Sequence, residues 1–156
     1  MADINLEKQK QKAEEIYKQI GRVHCPYFGE DVAFNSKGLK HIKFKSQGKA
    51  RERKDQYMRL KNIYLAPEVL GKSATLQEFN VKKVFVKVKT NTREERVLKS
   101  VRFYGFTSIL KDGNVSKRLK IIVREVEGGR KHFWSIVPFW QSNKELRLHS
   151  GNLEQD

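Results

Sequence analysis

The chain has 156 residues, 38% of them hydrophobic and 10% aromatic, with 33 basic residues against 18 acidic ones for a net charge of +15. The apolar share excludes a wholly disordered chain, and the length suffices for one domain with a buried core. The charge excess points to a polyanionic partner, RNA or DNA ahead of an anionic membrane surface.

The single cysteine, Cys25, cannot form an internal disulfide, so a reducing cytoplasm is the default location. No apolar run reaches the roughly 18–20 residues that span a bilayer. The N-terminal segment MADINLEKQKQKAEE lacks a secretory apolar stretch. Residues 5–20 carry Ala13, Ile16, Tyr17 and Ile20 at helical spacing, and Gly21 ends that helix. Residues 22–34, around Pro26 and Gly29, suggest a short hairpin or loop. Asn35-Ser36 supplies an N-cap for a short helix with Leu39, His41, Ile42 and Phe44, broken at Gly48. A longer helix is predicted from about Lys49 to Leu65, stopped by Pro67. Its apolar face is Tyr57, Leu60, Ile63 and Tyr64, leaving Arg51, Arg53, Lys54 and Lys61 in solvent.

After about Thr75 the period changes. Val84, Val86 and Val88 alternate with Lys83, Lys87 and Lys89, which is strand spacing. A turn at Asn91-Thr92-Arg93 leads into a β-rich run over 97–110, and Asp112-Gly113 turns the chain again. A further strand covers 119–127, Gly128-Gly129 forms a hairpin loop, and 130–138 closes the sheet. Helices first and strands second is the α+β pattern, with N-terminal helices packed on a roughly four-stranded antiparallel sheet. Residues 1–140 then form one domain with a helical extension over 1–22. Residues 141–156 form a polar tail that is expected to be poorly ordered.

Alternation around the Gly128-Gly129 loop places Glu125 opposite His132, Arg124 opposite Phe133, and Ile122 opposite Ser135. One face then holds Leu119, Ile121, Val123, Trp134 and Ile136, which suits a core. The other holds Lys120, Ile122, Arg124, Lys131, Phe133 and Ser135, a mixture of cations, an aromatic ring and a hydroxyl that suits RNA.

The densest basic stretch includes Lys37, Lys40, Lys43, Lys45, Arg51, Arg53 and Lys54, with only Glu52 and Asp55 opposing it over 37–61. Such a stretch neutralises phosphates and gains affinity by counterion release, although a solvated helix face would read the same way. His41 lies inside it. Neighbouring cations disfavour its charged form, and a neutral imidazole can take the proton of a ribose 2′-hydroxyl. The plainer alternative is a packed histidine that binds phosphate or nothing. Arg51, Arg53 and Arg124 can clamp phosphate bidentately, and Ser135 can hydrogen-bond it. His132 reads as structural. The segment His24-Cys25-Pro26 lacks the further ligands of a zinc site, and Gly71-Lys72-Ser73 lacks the glycine spacing of a nucleotide-binding loop, so no metal or cofactor is expected.

The basic helical half with Gly38-Leu39-Lys40-His41-Ile42, the helix ending near Leu65-Ala66-Pro67-Glu68 and the C-terminal antiparallel meander resemble the barnase–EndoU–colicin–RelE-like nucleases, in particular the phage-type members. The resemblance covers about residues 35–140 and rests on architecture and scattered polar positions. It implies metal-independent RNA cleavage to a 2′,3′-cyclic phosphate, in toxin or phage-conflict settings. By position, His41 resembles the helix histidine that serves as base or acid. Lys37, Lys40, Arg51 and Arg53 resemble the flanking cations, and Ser135 the serine or threonine of the last strand. No second proton-transfer group is identified.

The expectation is therefore an endoribonuclease with His41 as general base and Arg51, Arg53, Arg124 and Ser135 at the phosphate. Lys37, Lys40, Lys43, Lys45, Lys54, Lys120, Lys131 and Phe133 would hold the RNA. In a toxin setting, so basic a chain would need an acidic antitoxin or immunity protein. The competing reading is a non-catalytic RNA- or ribosome-binding module of the same shape. A DNA-binding regulator using the 49–65 helix is a weaker third, since no helix-turn-helix spacing accompanies it.

Overall fold

In the computed structural model, which describes residues 2–45, 48–139 and 152–156, helix α1 (Ala2–Ile20) buries Leu6, Ala13 and Tyr17. It stops where Gly21 adopts φ +65°, a conformation open to glycine. Strands β1 (Arg22–Cys25) and β2 (Glu30–Ala33) form a tight hairpin. The Asn35 side chain accepts hydrogen bonds from the backbone N–H groups of Lys37 and Gly38, capping α2 (Ser36–Lys43) as its sequence predicts.

The helix expected over 49–65 divides differently. Helix α3 spans Arg53–Asn62, a 3-10 turn follows over Ile63–Leu65, and α4 spans Ala66–Lys72. Pro67 lies in the first turn of α4, where its missing N–H leaves no bond unmade, so it opens a helix instead of closing one. Leu60 and Ile63 face the core as expected, whereas Tyr64 is exposed. Arg51 precedes the helix and is buried, not in solvent.

Strands β3 (Glu78–Lys89), β4 (Glu94–Asp112), β5 (Val115–Val126) and β6 (His132–Phe139) form the expected meander. The sheet nevertheless has six strands, in the order β1-β2-β6-β5-β4-β3, and is mixed. Strand β2 joins β6 in parallel at Ala33 and His132, where the Ala33 N–H donates to the Lys131 carbonyl at 3.1 Å. Two four-residue strands are too short for alternation to register, and no local pattern signals a bond to a segment a hundred residues away.

The helices cover one face of the sheet, where Cys25 and Val32 of the β1–β2 hairpin join Phe106, Leu119, Ile121, Val123, Phe133 and Ile136 in one core. The opposite face holds a second cluster of Val101, Phe103, Ile122 and Val137, closed by Leu153. Residues 152–156 thus pack on the sheet, held partly by the Leu153 N–H donating to the Asn80 side chain at 2.9 Å. The remaining tail, 141–151, and Trp140 lie outside the described residues. No helix among the described residues is long and apolar enough to cross a membrane.

The last hairpin departs from simple alternation. Ile122 pairs with Ser135 as expected, but Val123 pairs with Phe133 and Arg124 with His132. Trp134 is therefore an extra residue in β6, a bulge that inverts the parity of everything N-terminal to it. Phe133 turns into the main core, stacked on Phe34 at 4.8 Å, while Trp134 joins the opposite face beside Phe103. The face expected to lie open is also covered, since Lys120, Ile122 and Ser135 are all buried.

Candidate functional site

Arg51, Asp55 and Arg59 follow one another at four-residue intervals, which stacks Asp55 and Arg59 on one side of α3 with Arg51 just ahead of it. The Asp55 carboxylate accepts from Arg59 Nε at 2.6 Å and lies 3.6 Å from Arg51 Nη1. Gln56 ties down the Arg51 carbonyl at 2.7 Å. Arg59 is fully buried and its Nη1 donates to Ser135 Oγ at 2.7 Å and to the Ile136 carbonyl at 3.3 Å. Burial lowers both guanidinium pKa values, that of Arg51 to about 10, which leaves it charged at neutral pH.

These groups converge on one oxygen. The main-chain oxygen of Asp156 accepts from Arg59 Nη1, from Ser135 Oγ at 2.9 Å and from Arg51 Nη2 at 3.3 Å. Beside it, the ammonium of buried Lys120 contacts Asp156 Oδ2 at 3.1 Å and Glu78 Oε2 at 3.0 Å. Arg59 Nη2 is buried with no hydrogen-bond partner among the described residues. Two guanidinium groups and a hydroxyl aimed at a single acceptor make an oxyanion-binding arrangement.

His41, near the end of α2, is joined to this cluster through Arg51. Arg51 Nε donates to the His41 carbonyl at 2.9 Å, and Nη2 lies 3.0 Å from His41 Nε2. A guanidinium can only donate, so Nε2 must accept, and the neutral ring carries its proton on Nδ1. Burial, then the charges of Arg51, Arg59 and Arg124, push the His41 pKa down to about 2. Its ring stacks on Trp134 with centroids 4.0 Å apart.

His41 and Trp134 also line a cleft of about 260 Å³, together with Lys37, Lys40, Lys45 and Arg124. The Arg124 guanidinium lies 5.0 Å from the Trp134 ring centre. Opposite Arg124, His132 is buried, bonds to the Arg130 backbone and leaves Nε2 without a partner among the described residues. Burial and then Arg124 push its pKa down to about 4.

Among the residues singled out by sequence, His41, Arg51 and Ser135 come together, and Arg124, Lys37, Lys40 and Lys45 line the adjoining cleft. Arg53 and Lys54 lie exposed at the start of α3. Lys43 turns toward α1 and pairs with Glu14 at 2.5 Å. Lys131 is held by Glu30 at 2.5 Å and Glu125 at 3.0 Å, which takes Glu125 away from its expected partner His132. Lys120 is inside, and Phe133 is core, so neither offers a surface to RNA. Arg59, Asp55 and Trp134 were absent from the expected site. The four-residue spacing of Arg51, Asp55 and Arg59 signalled the first two, whereas the bulge that delivers Trp134 left no local mark.

No family model, curated protein or solved structure matches the chain.

Proposed function

We propose that the chain binds RNA in the cationic cleft and cleaves it by attack of a ribose 2′-oxygen on the adjacent phosphorus. The P–O5′ bond breaks, leaving a 2′,3′-cyclic phosphate and a 5′-hydroxyl. The observation that carries this reading is the convergence of Arg51, Arg59 and Ser135 on the Asp156 oxygen. A non-bridging phosphate oxygen in that place would receive the same three donors, which strengthen as charge builds on the phosphorane. Lys37, Lys40, Lys45 and Arg124 would hold flanking phosphates along the cleft. The resemblance to the barnase–EndoU–colicin–RelE nucleases supports the same assignment.

His41 takes the 2′-proton in this reading, and the leaving 5′-oxygen draws its proton from water. In the free protein its Nε2 is committed to Arg51. An anionic phosphate beside Arg51 and Arg59 offsets two of the charges that depress the imidazole and draws Arg51 toward itself. Substrate thus makes the base available. The commitment of Nε2 in the free protein equally favours a second reading, an RNA-binding module of the same shape that performs no chemistry.

End-labelled RNA incubated with the protein in EDTA separates the two. Cyclic-phosphate products that disappear with Ser135→Ala and His41→Ala support cleavage. Intact RNA, bound in a salt-sensitive way by parent and variants alike, supports the binding module.

A further inference from the structure

The β3–β4 hairpin extends beyond the rest of the sheet. The two strands pair from Glu78 and Gly105 out to Lys89 and Glu94, but β5 begins to pair with β4 only at Val101. From Lys83–Ser100 outward the hairpin is a two-stranded ribbon without a third strand. A ribbon of that kind is marginal alone in water, yet it leaves large apolar side chains in solvent. Phe85 is 70% exposed, with Leu98 beside it also exposed.

Strand alternation and register put Lys83, Phe85 and Lys87 of β3 on one face with Ser100, Leu98 and Arg96 of β4. The same face continues inward through exposed Val81 and Phe79. Residues 81–102 carry eight basic residues and two acidic ones. Lys82 pairs with Glu154, Arg93 with Glu95 and Arg102 with Glu125. Lys83, Lys87, Lys89, Arg96 and Lys99 have no acidic partner among the described residues.

We propose that this ribbon face is a second RNA-binding surface, on which a base of a single strand stacks on Phe85 while Lys83, Lys87 and Arg96 hold the phosphates on either side. It extends the RNA reading to a surface outside the cleft and does not depend on cleavage. An open aromatic ring flanked by cations two residues away on the same strand matches the repeat of base and phosphate in a single strand. Charge argues against a second copy of the chain here. Antiparallel pairing of two β3 edges about Phe85 would set Lys83 of each copy against Lys87 of the other, and like charges placed opposite are destabilising.

The test uses the full chain and a fluorescent 2′-O-methyl single-stranded oligonucleotide, which cannot be cut by 2′-oxygen attack, so binding is read apart from chemistry. Phe85→Ala is expected to weaken binding about tenfold without moving the thermal midpoint, since the ring is exposed. The double variant Lys83→Glu, Lys87→Glu is expected to reduce the slope of log affinity against log salt by about two. Affinities within twofold of the parent for both variants would overturn the proposal. So would a loss confined to duplex RNA, or one confined to an acidic polyglutamate peptide. Ser135→Ala separates this surface from the cleft. If the cleavage reading fails, the ribbon variants still weaken oligonucleotide binding. If the ribbon fails, Ser135→Ala still alters cleavage of a short substrate.

Discussion

Arg51 grips His41 at two points, its Nε on the carbonyl at 2.9 Å and its Nη2 on the imidazole Nε2 at 3.0 Å. One arginine thereby fixes the end of α2, the tautomer of the ring and the access of any substrate proton to it. The cation and the imidazole cannot both be charged at this distance without strong repulsion, so the pair is stable only with His41 neutral.

Stability is therefore expected to fall on acidification. His41 and His132 have folded pKa values of about 2 and about 4, both below the ordinary 6.5. The unfolded chain takes up these protons first, so the stabilisation is complete above pH 6.5 and is lost as pH drops from there toward the folded values. Each histidine withdraws about 1.4 kcal/mol per pH unit within its window. Urea midpoints at pH 7.5 and 5.5 measure this, and His132→Gln should flatten the dependence. Equal midpoints at the two pH values would contradict the neutral assignment.

Cleavage, in the proposed reading, should show two different acid limbs. The profile of kcat/KM reports the free protein, where His41 titrates near 2, and that of kcat reports the complex, where phosphate offsets Arg51 and Arg59. The limb for kcat is expected at higher pH than the limb for kcat/KM. Superimposable limbs would mean that His41 does not take the proton.

The carboxylate of Asp55 serves two buried guanidinium groups. Asp55→Asn removes the carboxylate paired with both and leaves Asp156 as their remaining acidic neighbour, and breaking a buried pair in this manner costs about 3–5 kcal/mol. Chemical denaturation should show that loss. Retention of full stability would indicate that solvent reaches the arginines.

A phosphate can reach the Arg51–Arg59–Ser135 donors only if Asp156 leaves them. Deleting residues 152–156 should therefore raise affinity for a short oligonucleotide severalfold. It should also lower stability, because Leu153 is fully buried against Val101, Phe103, Ile122 and Val137. Leu153→Ala isolates the second effect, with an expected cost of about 2–5 kcal/mol. Unchanged affinity after the deletion would place the RNA phosphate elsewhere.

Local signals carried much of the architecture. The Asn35 cap, the stop at Gly21 and the alternation around Val84–Val88 depend on neighbours in sequence and read directly. The site depended on long-range choices. The Trp134 bulge exchanges which of Phe133 and Trp134 faces the helices, and a single inserted residue has no signature in hydrophobic period. Arg59 looked like any surface arginine in a basic run because its burial is set by Ser135 and Asp156, far along the chain. Arg51, expected in solvent, is drawn inside by His41 and by the Gln155 and Asp156 main-chain oxygens. His41, Arg51 and Ser135 were nevertheless grouped from the sequence, and the structure brings these three side chains together.

Gly38 ties these levels together. It sits inside α2, three residues before His41, where helix propensity alone favours alanine by about 1 kcal/mol. A Cβ there, however, would lie 2.3 Å from the Phe133 carbonyl oxygen, 2.7 Å from the Phe133 ring and 2.8 Å from the Tyr17 hydroxyl. The nearest of these is backbone at the edge of the bulge and cannot swing aside, so α2 itself must move off β6. Gly38→Ala is thus expected to destabilise the protein by about 1–3 kcal/mol, opposite in sign to the propensity effect. Because α2 carries His41 onto Trp134, the same shift should loosen that stack and raise the His41 pKa, visible as a displaced imidazole titration in NMR. A stabilised variant with an unmoved titration would show that α2 and β6 are not in the close contact described.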